Sequence, residues 1–281
     1  APIIRTVSAR RFRTVSDPSA RALKSFPNTA IWLVRESARP LAEKLGVFLE
    51  ARVLPDAFCE VGSVASNRER FASAFPSAKH WVMLMASGIA TRYLAGLPYD
   101  KNSDPGVVVL DEACRFAIPL LSGHEGGANA LAYRIAAKTG AVPVITTATE
   151  ALKPLTLGIG CRKGVSVERI DDAIANALRM IGASLSSVRE IATVDLKGRE
   201  RGLIQWVEQH DIPLRIFSSE QLAQRPLTAT PSRWVFSSIG LAGVCEPCAL
   251  LASPRGTLVV PKLATAGVTV AVVSDGAPIH F

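Results

Sequence analysis

Between Leu120 and Glu150 the chain runs LLSGHEGGANALAYRIAAKTGAVPVITTATE: an apolar run, a turn of small residues, an apolar stripe at helical spacing and a second apolar run. No other stretch constrains the fold as strongly. Ser122, Gly123, Gly126 and Gly127 carry little or no side chain, so other atoms can approach the backbone closely and positive φ costs little. Ala128, Leu131, Ala132, Ile135 and Ala136 then recur at i, i+3, i+4, i+7 and i+8, the signature of one helical face. Gly140, just after Lys138, suits a C-cap. Ala141 to Thr147 reads as a buried strand ending in Thr146 and Thr147, with Thr149 beyond. Strand, turn, helix and strand make one unit of a doubly wound sheet, whose ligands sit beyond the carboxyl ends of the strands.

The turn offers free backbone amides and a helix dipole at one spot, the makings of an anion site. His124 stands on it as the nearby group that titrates near neutral pH. A plain structural turn fits the spacing equally well. The glycines do not follow GxGxxG and no lysine completes a phosphate loop, so nucleotide, phosphate and carboxylate stay level as ligands.

The same α/β rhythm continues on either side. Ala30 to Val34 and Trp81 to Met85 are apolar runs of strand length, the first followed by an amphipathic segment opened by Pro40. Ser87 and Gly88 repeat the small-residue turn before a helix, and Val107 to Leu110 with Phe116 to Leu121 read as a hairpin. Leu155 to Ile159 opens a second half, with Gly160-Cys161-Arg162-Lys163-Gly164 as its loop. Ser166 caps a helix striped by Ile170, Ile174, Ala177, Leu178 and Ile181. Strands follow at Ile191 to Leu196, Pro213 to Phe217, Thr257 to Val260 and Val268 to Val273, with a helix over Arg199 to Gln209. Lys197 and Glu200 fall at the turn before that helix. Trp206, Leu241, Val244 and Leu250 read as core, and Gly240 and Gly243 as a further turn. At 281 residues the chain suits two cores. The expected fold is α/β, with two doubly wound domains, 28–151 and 155–281, their mostly parallel sheets flanked by helices and a cleft between them.

Residues 1–27 form a basic tail. Arg5, Arg10, Arg11, Arg13, Arg21 and Lys24 against Asp17 supply five of the eight net positive charges, leaving the folded body modestly basic. Nucleic acid is not implied, since no basic stripe is interleaved with aromatics. No apolar run reaches the ~18 residues of a membrane span. Five cysteines without a secretory leader point to a reducing cytoplasm. Cys245-Glu-Pro-Cys248 has redox-pair spacing, but with no second CxxC and no paired histidines, buried thiols are preferred to a metal site. No bound metal or cofactor is expected.

SGHEGGANALA followed by PVITTATE resembles the amino-terminal domain of the CbiG family, the cobalt-precorrin-5A hydrolases of the oxygen-independent cobalamin pathway. ASGIATRYLAG (86–96) and SDPGVVVLDE (103–112) are similar to the segments before it. LGIGCRKG (157–164), LKGRERGLIQWVEQHDIPLRIFSSEQL and the Gly240 to Ser253 turn and helix are similar to the family's carboxyl-terminal domain, which also exists alone as CobE. The likeness runs over roughly residues 30 to 273. Two departures stand out: the family's middle segment between the threonine strand and GIGC is missing, and CEPC replaces small residues.

The resemblance implies opening of a δ-lactone on a cobalt-bound contracted tetrapyrrole, with release of acetaldehyde, giving cobalt-precorrin-5B. Cobalt enters as part of the substrate. Such chemistry needs an activated water, oxyanion donors and anchors for carboxylates. His124 is the expected catalytic base, with axial cobalt ligation its other possible role. Oxyanion donors would come from the turn Gly123 to Gly127, Gly126 included, neutral contacts from Asn129, Thr146 and Thr147, and Ser122 is a further substrate contact. Arg92, Arg162 and Lys163 would grip carboxylates, the guanidinium forks bidentately. Ser87, Gly88, Gly160, Cys161, Lys197 and Glu200 complete the expected substrate cleft between the domains. A solvated basic loop is the bland alternative for Arg162 and Lys163. A non-catalytic corrinoid carrier or scaffold is the competing function, and a nucleotide- or phosphate-binding enzyme a weaker third. Other corrin-pathway enzymes and a second copy of the chain are the protein partners left open.

Overall fold

The computed structural model describes residues 26–56, 58, 65–224 and 243–276. Almost all of the basic tail lies outside the described residues, as do Gly240 and Leu241. The first half consists of β1 (Thr29–Leu33), α1 (Arg39–Leu49), β2 (Arg52–Leu54), α2 (Asn67–Ala74), β3 (His80–Leu84), α3 (Ser87–Leu94), β4 (Gly106–Leu110), β5 (Phe116–Leu121), α4 (Ala128–Thr139) and β6 (Val142–Pro143). Its sheet has the order β2-β1-β3-β4-β5-β6. After α5 (Ala148–Ala151) the second half follows: β7 (Leu155–Cys161), α6 (Val167–Arg179), β8 (Val188–Val194), α7 (Arg201–Gln209), β9 (Leu214–Phe217), α8 (Ser219–Ala223), α9 (Cys245–Ala252), β10 (Thr257–Thr265) and β11 (Val268–Ser274). Its order is β10-β11-β7-β8-β9. Both sheets are mixed, mostly parallel, and flanked by helices.

The central strands are apolar on both sides because helices cover both sides. Alternation sorts them: Ile31, Leu33, Val82, Leu84, Val108 and Leu110 meet α1 and α4, while Trp32, Trp81, Met83 and Val109 meet α2 and α3. On the second face Phe71 stands edge-on to both Trp32 and Trp81 at 5.1 Å between centroids. Such buried rings contribute about 2–3 kcal/mol each by burial, and Trp81 Nε1 donates to the Phe75 carbonyl at 3.0 Å, so its polar atom is satisfied. In the second half α6 and α7 cover one face and α9 the other. Trp206 is core, fully buried, with Nε1 donating to Asp171 at 2.9 Å. Val244 is core as well, and Leu250 is half-buried. No helix among the described residues is long and apolar enough to cross a membrane.

The hairpin between β4 and β5 forms as expected, and its reversal decides where the ends of the chain segments lie. β2, β1, β3 and β4 run parallel, whereas β5 runs back, with Leu121 beside Val107 at the start of β4. The turn after β5 therefore sits at the amino-terminal edge of the parallel strands, opposite the edge that carries Ser87. Two expectations are corrected. The threonine strand shrinks to Val142–Pro143, paired parallel with Phe116 and Ala117, and Val142 is exposed. Pro143 has no N–H to donate, so the strand is held to the sheet edge and is extended only by Val144 donating to Ala117. Gly160 and Cys161 belong to β7 rather than to its loop, because β11 pairs with them through Thr269 and Val268.

Candidate functional site

Leu121 ends β5, and the next six residues fold back onto the start of α4. Gly127 is the N-cap of α4 at φ 74, a left-handed conformation that suits glycine. Gly123 has no room for a side chain: a Cβ there would stand 2.7 Å from Asn129 Oδ1 and 2.9 Å from Thr147 Cγ2. The first three amides of the helix start are engaged, which narrows the expected anion site. Gly127 N donates to His124 O at 3.2 Å, Ala128 N to Ser122 O at 3.3 Å and Asn129 N to Gly123 O at 2.9 Å. The turn's own carbonyls have taken the positions an anion would need. Around the turn, the amides of Gly123, His124, Glu125, Gly126 and Ala130 donate no backbone hydrogen bond among the described residues.

Asn129 and Thr147 are brought together: Nδ2 donates to Oγ1 at 3.0 Å, tying the helix start to the segment after β6. Thr147 caps α5, while Thr146 is exposed. Among the described residues, Ser122 Oγ and Asn129 Oδ1 are buried without a hydrogen-bond partner. A buried polar atom without a partner costs about 1–3 kcal/mol, so the turn is held at some cost by the packing around it.

Beside the turn lies a pocket of about 220 Å³. Gly123, His124, Asn129, Tyr133, Glu150 and Lys153 form its wall in the first half. α4 packs against β9, so the opposite wall comes from the second half, with Glu208, Asp211 and Leu214. His124 is exposed at this pocket. Glu150 is mostly buried, and its Oε1 accepts from Lys153 Nζ at 2.9 Å. Burial pushes the Tyr133 phenol far up, and the Glu190 and Glu150 carboxylates add to the effect, so it stays a neutral donor.

The remaining expected residues lie elsewhere. Arg162 and Lys163 follow the carboxyl end of β7, where with Arg169 and Gly267 they border a second pocket of about 540 Å³. Lys197 and Glu200 join them after β8. Glu200 Oε2 accepts from Gly164 N at 3.0 Å and Oε1 lies 3.5 Å from Lys197 Nζ, so this carboxylate holds the loop. The His124 pocket instead adjoins the amino-terminal ends of β7 and β9, where Lys153 and Leu214 lie. β7 is seven residues long, and at about 3.3 Å per residue its ends are ~20 Å apart. One cleft holding both groups is therefore corrected to two separate pockets. Ser87, Gly88 and Arg92 stand at a third place, the carboxyl edge of the first sheet, where Arg92 Nη1 donates to Gly88 O at 2.8 Å. Gly160 and Cys161 are inside β7, the Cys161 thiol pushed up to about 11 by burial.

Cys245 and Cys248 are buried on α9, where burial raises both thiols, Cys245 to about 11. Among the described residues no group of three or more His, Cys, Asp or Glu side chains is placed to hold a metal. Sequence reasoning passed over Glu150, Lys153, Tyr133, Glu208 and Asp211. Glu150 closes the PVITTATE run and was visible as a polar residue within a site motif, whereas Glu208 and Asp211 look in sequence like any acidic helix end.

The family described as cobalamin synthesis G N-terminal matches residues 69–150, and that described as cobalamin synthesis G C-terminus matches 155–273. The chain belongs to the CbiG family. Both halves of the fold thus fall to one cobalamin-synthesis family, with the His124 turn inside the first CbiG span and the GIGCRKG loop inside the second. The cobalt-precorrin-5A hydrolase of Priestia megaterium is 25% identical over 305 residues, covering 74% of this chain and 81% of the relative. Since 74% of a 281-residue chain cannot fill 305 positions, that relative carries inserted residues with no counterpart here, in keeping with a compact CbiG chain. The cobalt-precorrin-5A hydrolase of Salmonella typhimurium is 35% identical over 163 residues, 55% of this chain, and the chain spans 46% of that relative's length. Protein CobE of a Sinorhizobium species is 29% identical over 125 residues, covering 44% of this chain and 81% of that protein.

Proposed function

We propose that this chain is a cobalt-precorrin-5A hydrolase, acting on a cobalt-bound tetrapyrrole at the pocket beside His124. The observation that carries the reading is the pair of CbiG matches, which run through that pocket's turn and through both halves of the fold. The relatives' names supply the substrate class. In the reaction, water adds to the lactone carbonyl, the acyl carbon–oxygen bond breaks, and the freed alkoxide closes to acetaldehyde as its carbon–carbon bond to the macrocycle breaks. The macrocycle carbon takes up a proton.

The local chemistry fits these steps. The unengaged amides of Gly123 and His124, residues that line the pocket, can receive the developing oxyanion. His124, exposed at the pocket, can exchange a proton with the reacting ester. At about 220 Å³ the pocket is smaller than those that enclose a whole drug-sized ligand. It receives the lactone edge of the macrocycle, the rest lying across the surface.

Anaerobic incubation with cobalt-precorrin-5A is expected to release one equivalent of acetaldehyde and to give a product of correspondingly lower mass. Tight binding without acetaldehyde would identify a carrier instead. With His124→Ala, kcat is expected to fall by about 10²–10⁴-fold with KM little changed. Arg162→Ala is expected to leave kcat and KM within about twofold, because its pocket lies at the far end of β7. A tenfold rise in KM on that change would return the basic loop to the substrate site.

A further inference from the structure

Thr147 stands behind the wall of the His124 pocket: Gly123, His124 and Asn129 line the cavity, and Thr147 packs on the first and bonds the last. As N-cap of α5 it is placed where a threonine hydroxyl ordinarily accepts from the helix's own amides. Here no such side-chain cap forms, and Oγ1 instead accepts from Asn129 Nδ2 at 3.0 Å. Asn129 Oδ1 stays buried without a donor among the described residues. Thr147 forgoes its cap and Asn129 leaves an oxygen unpaired, so what the packing preserves is the link between them. Gly123 is caught in that link. A Cβ on it would stand 2.7 Å from Asn129 Oδ1 and 2.9 Å from Thr147 Cγ2, and its carbonyl accepts from Asn129 N at 2.9 Å. That carbonyl belongs to the same planar peptide as the His124 N–H, which points the opposite way. Fixing the one therefore aims the other.

We propose that Thr147 is a positioning residue: through Asn129 it holds the peptide between Gly123 and His124, and with it the turn that carries the imidazole. The sequence expectation of a direct contact between Thr147 and substrate is replaced by this indirect role. The assignment rests on the hydrolase reading above, in which the His124 N–H meets the oxyanion. Such a donor accelerates the reaction by standing in place before charge develops. A loosened peptide therefore loses rate while the substrate, held by other contacts, binds nearly as before. The link also ties the turn to the segment across the pocket's edge, since Glu150 N and Ala151 N both donate to Thr147 O at 3.1 Å. Lys153, bonded to Glu150, is carried with them.

The test is anaerobic turnover of cobalt-precorrin-5A by the full chain, well below its melting midpoint, joined to amide NMR spectra of the same samples. Thr147→Val keeps the branched shape and removes the acceptor. It is expected to lower kcat by about 10–100-fold while KM changes less than about threefold. Thr147→Ser, which keeps the hydroxyl, is expected to recover the rate to within about threefold of the parent. In folded Thr147→Val the Gly123 and His124 amide signals are expected to move or broaden while those of α6 stay, a local change that general destabilisation would not give. Parent-rate turnover by Thr147→Val overturns the assignment, as does a rate loss with the Gly123 and His124 signals unmoved. A tenfold rise in KM at unchanged kcat overturns it too, by placing Thr147 against the substrate. Should Thr147→Val not fold, Asn129→Ala breaks the link from its other end, and its kcat and amide signals are judged by the same outcomes. Absence of acetaldehyde from the unaltered chain defeats the hydrolase reading itself, a result distinct from an active chain indifferent to Thr147.

Discussion

Gly158→Ala is expected to leave the chain insoluble or to lower its unfolding midpoint by more than about 10 °C. Gly158 lies midway along β7, and α9 crosses the sheet directly over it. A Cβ at this position would lie deep inside the van der Waals shell of the Cys245 carbonyl oxygen and 2.9 Å from the Ala249 nitrogen. Both are main-chain atoms, so no side-chain tip can swing aside. The helix would have to lift, taking Val244, Cys248 and Ala252 away from Ala192, Val194 and Phe217. Ordinary overpacking of a core costs about 1–3 kcal/mol; a clash between backbone segments belongs with the exceptional losses above about 4 kcal/mol. Gly88→Ala is the control, since its Cβ would meet nothing nearer than Arg92 Nη1 at 3.5 Å. Thermal melts by circular dichroism are expected to separate the two by more than about 10 °C, and a Gly158→Ala melt matching the Gly88→Ala melt would sink the close-approach account.

The same glycine shows where sequence patterns stop. GIGC reads as a strand running into a small-residue loop, yet Gly160 pairs with Thr269, and Gly158 is small because a helix lies on it. Spacing cannot distinguish a glycine kept clear for a ligand from one kept clear for a helix. The helix from Ala128 to Thr139 was legible to within a residue, because its apolar stripe and its Gly140 cap are local signals. Which edge of the sheet its amino terminus faces was not. That depends on β5 running antiparallel to β4, and a hairpin read from sequence did not carry through to the far side of the domain. The consequence separated Ser87, Gly88 and Arg92 from His124. Similarly, Glu150 becomes a site residue only because α4 packs on β9 and encloses it with Glu208 and Asp211, contacts between residues distant in the chain.

Beneath the pocket, Arg215→Met is expected to cost about 3–5 kcal/mol of stability. Glu190 and Arg215 are 2% and 6% exposed. Arg215 Nε stands 3.6 Å from Glu190 Oε2, Arg189 Nε 3.4 Å from Oε1, and Arg189 also bonds Thr156 and Asp275. Tyr133 reaches this group from α4, so the network lies where the halves join and next to the pocket wall. Removing one guanidinium leaves Glu190 buried with weaker compensation, and among the described residues Oε2 already accepts no hydrogen bond. Replacing both partners, Arg215→Met with Glu190→Leu, is expected to recover much of the loss, because no buried charge is then stranded. Urea unfolding measures all three, and a single variant within about 0.5 kcal/mol of the parent would show the pair to be inconsequential. The pH dependence follows from opposing directions. Burial raises Glu190 above its ordinary 4.5 despite both arginines, so ionising it costs stability as pH rises from 4.5 through the raised value. Asp275 is held below 3.8 by Arg189 and Ser253 against the opposing effect of burial, and its contribution is lost as pH falls beneath that range. Glu190→Gln removes only the first titration. Its stability relative to the parent is therefore expected to improve as pH rises above 4.5, and a flat difference across that interval would mean that Glu190 ionises without penalty.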